Sequence, residues 1–145
     1  LLHMLLSHPD VASVDLSRWK VIIGGAAMPP SLCLAALKLG IDIFTGYGMS
    51  ETCPVVALAH VPEDQLDKPL EEQVKIRCKT GRAIPLVGMH IVDEEMNPVP
   101  ADGESTGEIV LRAPWLTQGY LKDHHNFEIQ DYSYYQKFCY LKQYY

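Results

Sequence analysis

Lys20 Val21 Ile22 Ile23 Gly24 Gly25 Ala26 Ala27 Met28 Pro29 Pro30, then Ser31 to Leu39, then Gly40 Ile41 Asp42 Ile43 Phe44 Thr45, is the stretch on which the fold turns. Lys20 to Gly24 is a nearly continuous apolar run, the pattern of a parallel strand covered on both faces. The paired glycines end it. Met28, Pro29 and Pro30 prepare a helix start, because proline is tolerated in a first turn, and Gly40 closes the helix after Leu39. Between them Leu, Cys and Ala recur almost all round, so the helix is expected to be buried. Ile41 to Phe44 is β-branched and aromatic, as a short strand requires. Lys20 to Thr45 is therefore read as one βαβ unit with a right-handed crossover, which places the chain in the α/β class with a parallel sheet.

The next seven residues, Gly46 Tyr47 Gly48 Met49 Ser50 Glu51 Thr52, carry the chemistry. They follow the second strand, and open α/β sheets bind ligands just beyond the carboxyl ends of their strands. Gly46 and Gly48 can take positive φ and carry no side chain, so the chain can turn sharply and bring bare backbone close to a base. Tyr47 offers a flat apolar face with a hydroxyl at its rim. Ser50 can donate a hydrogen bond to a phosphate oxygen, and Glu51 supplies the kind of hard oxygen that Mg²⁺ accepts in ones or twos beside substrate phosphates. Gly46 Tyr47 Gly48 alone reads more readily as an ordinary turn. The hydroxyl and the carboxylate directly behind it favour a nucleotide.

Gly46 to Thr52 resembles the signature of the adenylate-forming superfamily, and further blocks stand in the same order. Upstream, Val21 to Pro30 is similar to that family's strand and small-residue loop beside the adenine and the acyl pocket. Downstream follow Gly81 Arg82 Ala83 Ile84 Pro85, then Ile91 Val92 Asp93, then Gly107 Glu108 Ile109, then Gly119 Tyr120. The resemblance covers Leu1 to Asp123. Within the family, His8 Pro9 Asp10 and Gly24 Gly25 Ala26 Ala27 look most like medium- or long-chain fatty acyl-CoA synthetases. It implies Gly24, Gly25, Ala26, Gly46, Tyr47, Gly48, Met49 and Ser50 as nucleotide-binding residues, Ser50 and Glu51 as catalytic residues, and Glu51 as the metal ligand. It also implies ATP or AMP, Mg²⁺ and CoA as cofactors and co-substrate, and a carboxylic acid, here a fatty acid, as substrate.

The same resemblance implies that the phosphate loop lies before Leu1. The ribose-binding aspartate and the adenylating lysine would lie beyond Asp123. The chain is thus expected to be an internal portion of the large domain that does not turn over by itself and needs the remaining domain of a parent enzyme. The competing readings are an aryl-CoA ligase, another adenylate-forming enzyme, or a non-catalytic product that keeps some nucleotide affinity or merely an interaction surface.

Composition narrows the remaining classes. The 145 residues, 48% of them apolar, suffice for a packed core. Eighteen acidic against 12 basic residues give a formal charge of −6, without the Lys/Arg clusters that nucleic acids attract. Cys33, Cys53, Cys78 and Cys139 are scattered without a CxxC pair, a usage suited to a reducing compartment, so the expectation is cytoplasmic. Leu1 to Leu6 reads as a helix end rather than a signal peptide. The uncharged stretch between Lys20 and Lys38 is too short and too rich in Gly and Pro to span a bilayer.

The rest of the chain is read in three segments. Residues 1–80 form the α/β portion, with Asp64 to Lys79 as a solvent-facing helix that has Pro69 near its start and Gly81 beyond its end. Residues 81–123 change to short apolar stretches, Met89 to Val92 and Glu108 to Leu111, between Asn97 Pro98, Pro100 and Asp102 Gly103. They read as antiparallel strands, the start of a small β-barrel subdomain. Residues 124–145 hold six of the eight tyrosines and read as a frameshifted or disordered tail, with an aromatic partner-binding tail as the rival. His124 and His125 lack zinc spacing, and His60 and His90 lack an evident nucleophile. Asp93 Glu94 Glu95 fits a solvated turn better than an acid–base pair.

Overall fold

The computed structural model describes residues 1–117 and Leu121, with the backbone of Gln136 and Lys137. The tyrosine-rich tail, including His124 and His125, falls outside the described residues apart from that dipeptide. The chain forms two compact units. One comprises Leu1–Gly48 with Val55–Arg82, the other Met49–Pro54 with the chain from Ala83 onward.

In the first unit α1 (Leu2–Leu6) precedes β1 (Lys20–Ile23), α2 (Pro30–Lys38), β2 (Asp42–Gly48), β3 (Val55–Leu58) and α3 (Leu70–Arg77). The βαβ unit is present: β1 and β2 are parallel, in register from Lys20 opposite Asp42 to Ile23 opposite Thr45. β3 returns antiparallel to β2, with Gly46 opposite Leu58 and Tyr47 opposite Ala57, so the sheet is mixed. Its order is β1-β2-β3-β4, where the short β4 (Arg82–Ala83) carries the chain from one unit to the other. Leu16, Met28, Cys33, Ala36, Ile41, Ile43 and Val74 make the core beneath it.

Three elements differ from the expectation. β2 does not stop near Phe44 but runs to Gly48, because β3 supplies backbone partners for the glycine-rich end. Glycine is depleted in strands, so composition hid this extension. In α2 only Cys33 and Ala36 are fully buried, and its leucines are half-buried. One stripe of the helix faces the sheet, and Leu2 and Leu6 of α1 pack at its flank. The long helix expected over 64–79 is split into a 3-10 turn, Glu63–Gln65, and α3, whose N-cap is Pro69. A proline cannot donate the hydrogen bond that would join the two.

α3 is also not simply solvent-facing. Gln73, Val74 and Arg77 point inward. The Arg77 guanidinium donates through Nη1 to Asp42 Oδ1 at 2.6 Å and to the Ile43 carbonyl at 2.9 Å, and through Nη2 to Gln73 Oε1 at 3.1 Å. Gln73 Nε2 in turn donates to the Leu66 and Lys68 carbonyls at 2.8 and 2.9 Å. One network thus ties α3 and the loop before it to the first residues of β2.

The second unit contains an antiparallel sheet in which β5 (Gly88–Val92) pairs with β6 (Glu108–Arg112), and β6 pairs with β7 (Gln136–Lys137). Ile109, Val110 and Leu111 are buried. The two strands expected here are therefore present, and closure into a barrel is not seen among the described residues. Asp93 Oδ1 accepts the Glu95 and Asn97 amides at 3.0 and 2.8 Å, which makes Asp93 to Asn97 a self-satisfied turn. Asp102 does the same for Ser105 and Glu104, and these donors hold its carboxyl down at about 2.

Replacing Arg77 by leucine leaves the Ile43 carbonyl and Gln73 Oε1 without that donor. Asp42 is 39% exposed and keeps Lys20 at 3.8 Å, so part of its loss is screened. The expected destabilisation is about 3 kcal/mol in urea unfolding; a midpoint at the parental value would show that the network is incidental. Glycines give a second check. Gly81 has φ +95°, and a Cβ there would overlap the Leu58 carbonyl carbon and oxygen, whereas one on Gly46 would meet Ile22 Cγ2 at 2.7 Å. Backbone yields less than a side chain, so Gly81→Ala is expected to lower the melting temperature more than Gly46→Ala. Ile22→Ala should restore part of the Gly46→Ala loss but none of the other, as a double-mutant cycle would read.

Candidate functional site

The first unit has a surface with little side chain on it. β1 ends at Ile23, and a Cβ on the next residue, Gly24, would lie 3.1 Å from the Gly46 carbonyl oxygen of β2. A Cβ on Gly46 would also come within 3.3 Å of Leu58 Cδ2. Gly24 and Gly46 are thus brought together, and both are glycine because adjacent chains leave no room for more. The turn expected at Gly46 and Gly48 is corrected: neither has positive φ, and both are strand residues, with a register irregularity between Tyr47 and Gly48. The positive φ falls at Gly25, +80°, where a Cβ would find no other atom within 4 Å. Gly25 and Ala26 are exposed, and Tyr47 is half-buried opposite Ala57. Bare backbone beside a half-buried ring is a surface that a flat heterocycle can approach closely.

The second unit contains the turn Met49–Pro54. Ser50–Thr52 is a single 3-10 turn, in which the Thr52 amide bonds the Met49 carbonyl at 3.0 Å. The Thr52 side chain is fully buried. Its Oγ1 accepts the Met49 N–H at 2.9 Å and lies 2.9 Å from the Met49 carbonyl oxygen and 2.7 Å from that of Pro54, with one proton to give. Cys53 then takes the left-handed conformation, φ +50°, which costs a non-glycine residue about 1 kcal/mol. The result leaves Ser50 exposed and Glu51 half-buried, with the Glu51 carbonyl accepting the Thr117 amide at 3.0 Å.

Reading the sequence for ligands singled out Ser50 and Glu51 but passed over Thr52. A threonine three residues past an extended residue, where a helical turn begins, is the available signal. Among the described residues no three His, Cys, Asp or Glu side chains gather into a cage. The donor set at this turn is one carboxylate and one hydroxyl, which suits a cation that completes its shell with phosphates and water, as Mg²⁺ does.

Other reactive side chains lie in ordinary packing. Burial pushes the Cys33 thiol up to about 12, with Cys78 beside it, and burial also raises Cys78. Neither supplies a thiolate at neutral pH. His60 stacks on Phe44 with ring centroids 4.5 Å apart.

Comparison with known proteins agrees with this arrangement of blocks. The family model described as AMP-binding enzyme matches residues 1–121. A long-chain-fatty-acid–CoA ligase of Thermus thermophilus is 41% identical over 101 residues, 70% of this chain and 19% of that protein. A 3-methylmercaptopropionyl-CoA ligase of Ruegeria lacuscaerulensis is 38% identical over 124 residues, 82% of this chain and 23% of that protein. Among solved structures, an amide bond synthetase from Marinactinospora thermotolerans superposes with a TM-score of 0.66 at 29% identity, covering 84% of this chain and 23% of the other. The chain therefore spans about a fifth of the length of the curated relatives it matches. Since the family model runs through the Gly24 to Gly48 surface, the Met49–Pro54 turn and most of the described residues, the chain belongs to the AMP-binding enzyme family.

Proposed function

We propose that this chain builds part of the nucleotide site of an ATP-dependent carboxylate–CoA ligase of the fatty acid type. The observation that carries the proposal is the Met49–Pro54 turn, which presents a hydroxyl and a carboxylate on a backbone pinned by a buried threonine. In the reaction a substrate carboxylate attacks the α-phosphorus of ATP and pyrophosphate leaves. The CoA thiol then attacks the acyl carbonyl of the adenylate, forming the thioester and releasing AMP.

Tyr47 gives the adenine a flat face, with Gly24, Gly25, Ala26, Gly46, Gly48 and Met49 as the residues beside the nucleotide. The Ser50 hydroxyl donates to an α-phosphate oxygen, where negative charge accumulates as the carboxylate attacks. Glu51 is the residue that would hold Mg²⁺, which when bound offsets phosphate charge. The remaining domain of a longer ligase would supply the phosphate loop, the ribose aspartate and the lysine. A fatty acid is the first substrate class to test, given the identity to the Thermus ligase. A cytoplasmic setting is preferred because Cys33, Cys53 and Cys78 are free thiols.

In the intact ligase carrying this segment, pyrophosphate–ATP exchange is expected to depend on added carboxylate. Ser50→Ala should slow it by about ten- to a hundredfold, the value of one hydrogen bond to a charged group. Glu51→Ala should slow it further and raise the Mg²⁺ concentration needed for half the maximal rate. Exchange at the parental rate and Mg²⁺ dependence in Glu51→Ala would remove the role given to that carboxylate. Offering fatty, aryl and amino acids in the same assay tests the substrate class, and a preference for benzoate-type acids would replace the fatty acid reading with the aryl-CoA one.

A further inference from the structure

We propose that Thr52 is a positioning residue for the reaction, its buried hydroxyl setting the direction in which the Ser50 hydroxyl and the Glu51 carboxylate leave the turn. The inference rests on the ligase reading and assigns a residue that contacts neither phosphate nor metal. Thr52 is wholly enclosed, and every hydrogen bond of its Oγ1 goes to backbone of its own turn. It accepts the Met49 N–H at 2.9 Å, and its proton is within reach of the Met49 and Pro54 carbonyls at 2.9 and 2.7 Å. Met49 and Pro54 are the two ends of the turn, and Ser50 and Glu51 lie between them.

The geometry around this hydroxyl is directional. Met49 enters extended, at φ −147° and ψ 173°, and Cys53 leaves left-handed, at φ +50° and ψ 57°. These opposed conformations confine the helical part to three residues, and Oγ1 holds both ends of it. A second tether, from the Thr117 amide to the Glu51 carbonyl at 3.0 Å, fixes the middle. Without Oγ1 the Met49 amide and the Pro54 carbonyl each lose a buried partner, and the turn is free to relax about the Thr117 tether. Such relaxation carries Ser50 and Glu51 away from their aim, and small misplacements of catalytic groups are costly in rate.

Valine and serine separate the two things threonine provides. Thr52→Val keeps the shape and removes the hydroxyl, whereas Thr52→Ser keeps the hydroxyl and removes a methyl group. In the intact ligase, Thr52→Val is expected to lower kcat for carboxylate-dependent pyrophosphate–ATP exchange by about tenfold or more, with the KM for ATP moving by less than about threefold. The Mg²⁺ requirement should rise with it. Thr52→Ser should recover to within about threefold of the parent, the methyl being the smaller part. Amide hydrogen exchange supplies a readout independent of turnover: the Met49 amide should exchange faster in Thr52→Val and at the parental rate in Thr52→Ser.

Should the valine variant not fold, Thr52→Ala takes its place against serine. An active parent in which valine, alanine and serine all behave alike, or in which the Met49 amide is unchanged without the hydroxyl, overturns the positioning role and leaves the ligase reading intact. A parent with no carboxylate-dependent exchange overturns the ligase reading and the positioning role with it. Slow valine and alanine variants, a recovered serine variant and a loosened Met49 amide together establish it.

Discussion

A buried guanidinium organises the first unit. Burying a cation is unfavourable unless acceptors surround it, and Arg77 finds three: a carboxylate oxygen of Asp42, the Ile43 carbonyl and the amide oxygen of Gln73. Asp42 and Ile43 are the first residues of β2, so the charge that α3 buries is neutralised by the strand that ends in Gly46, Tyr47 and Gly48. Gln73 extends the arrangement, accepting from Arg77 with one end of its amide and donating with the other to the carbonyls of Leu66 and Lys68. Hydrogen bonds aligned in series polarise one another, so the loop, the helix and the strand are held as one network. The parallel pairing of Lys20 with Asp42 begins at the same point.

The elements that could be read from residues alone were those in which pattern and local chemistry agree. Lys20 to Ile23 and the apolar residues of β5 and β6 alternate or run as strands must, and Pro30 and Gly40 bracket α2. What stayed hidden depended on contacts distant in sequence. Gly46 to Gly48 extends β2 because Ala57 and Leu58 lie opposite, and the two glycines that flank Tyr47 disfavour a strand. Arg77 looks like a surface residue at a helix C-terminus until Asp42 is placed beside it. Within the proposed site, Ser50 and Glu51 stand out in the sequence because their functional groups suit a nucleotide. Thr52 does not, because its hydroxyl serves the Met49 and Pro54 backbone rather than a ligand, and only its spacing from an extended residue signals it.

The seven-residue motif is therefore not one loop. Gly46, Tyr47 and Gly48 are shaped by strand pairing, with glycine required where β1 and β3 come close. Met49 to Pro54 belongs to the other unit and is shaped by a hydroxyl and a left-handed residue. In the first portion Gly46 has no room for a Cβ beside Ile22 and Leu58.

The mixed direction of the sheet has a consequence for how the chain acquires this arrangement. β2 meets β3 across the short Met49–Pro54 turn but reaches β1 only after the whole of α2 has been looped out. The entropy lost on closing a loop rises with its length, and pairings between distant segments set the pace of folding. The hairpin is thus the pairing available earliest to an unfolded chain. The turn bearing Ser50 and Glu51 can close before β1 docks on β2, so local closure rather than the finished sheet is what first gives this segment its form.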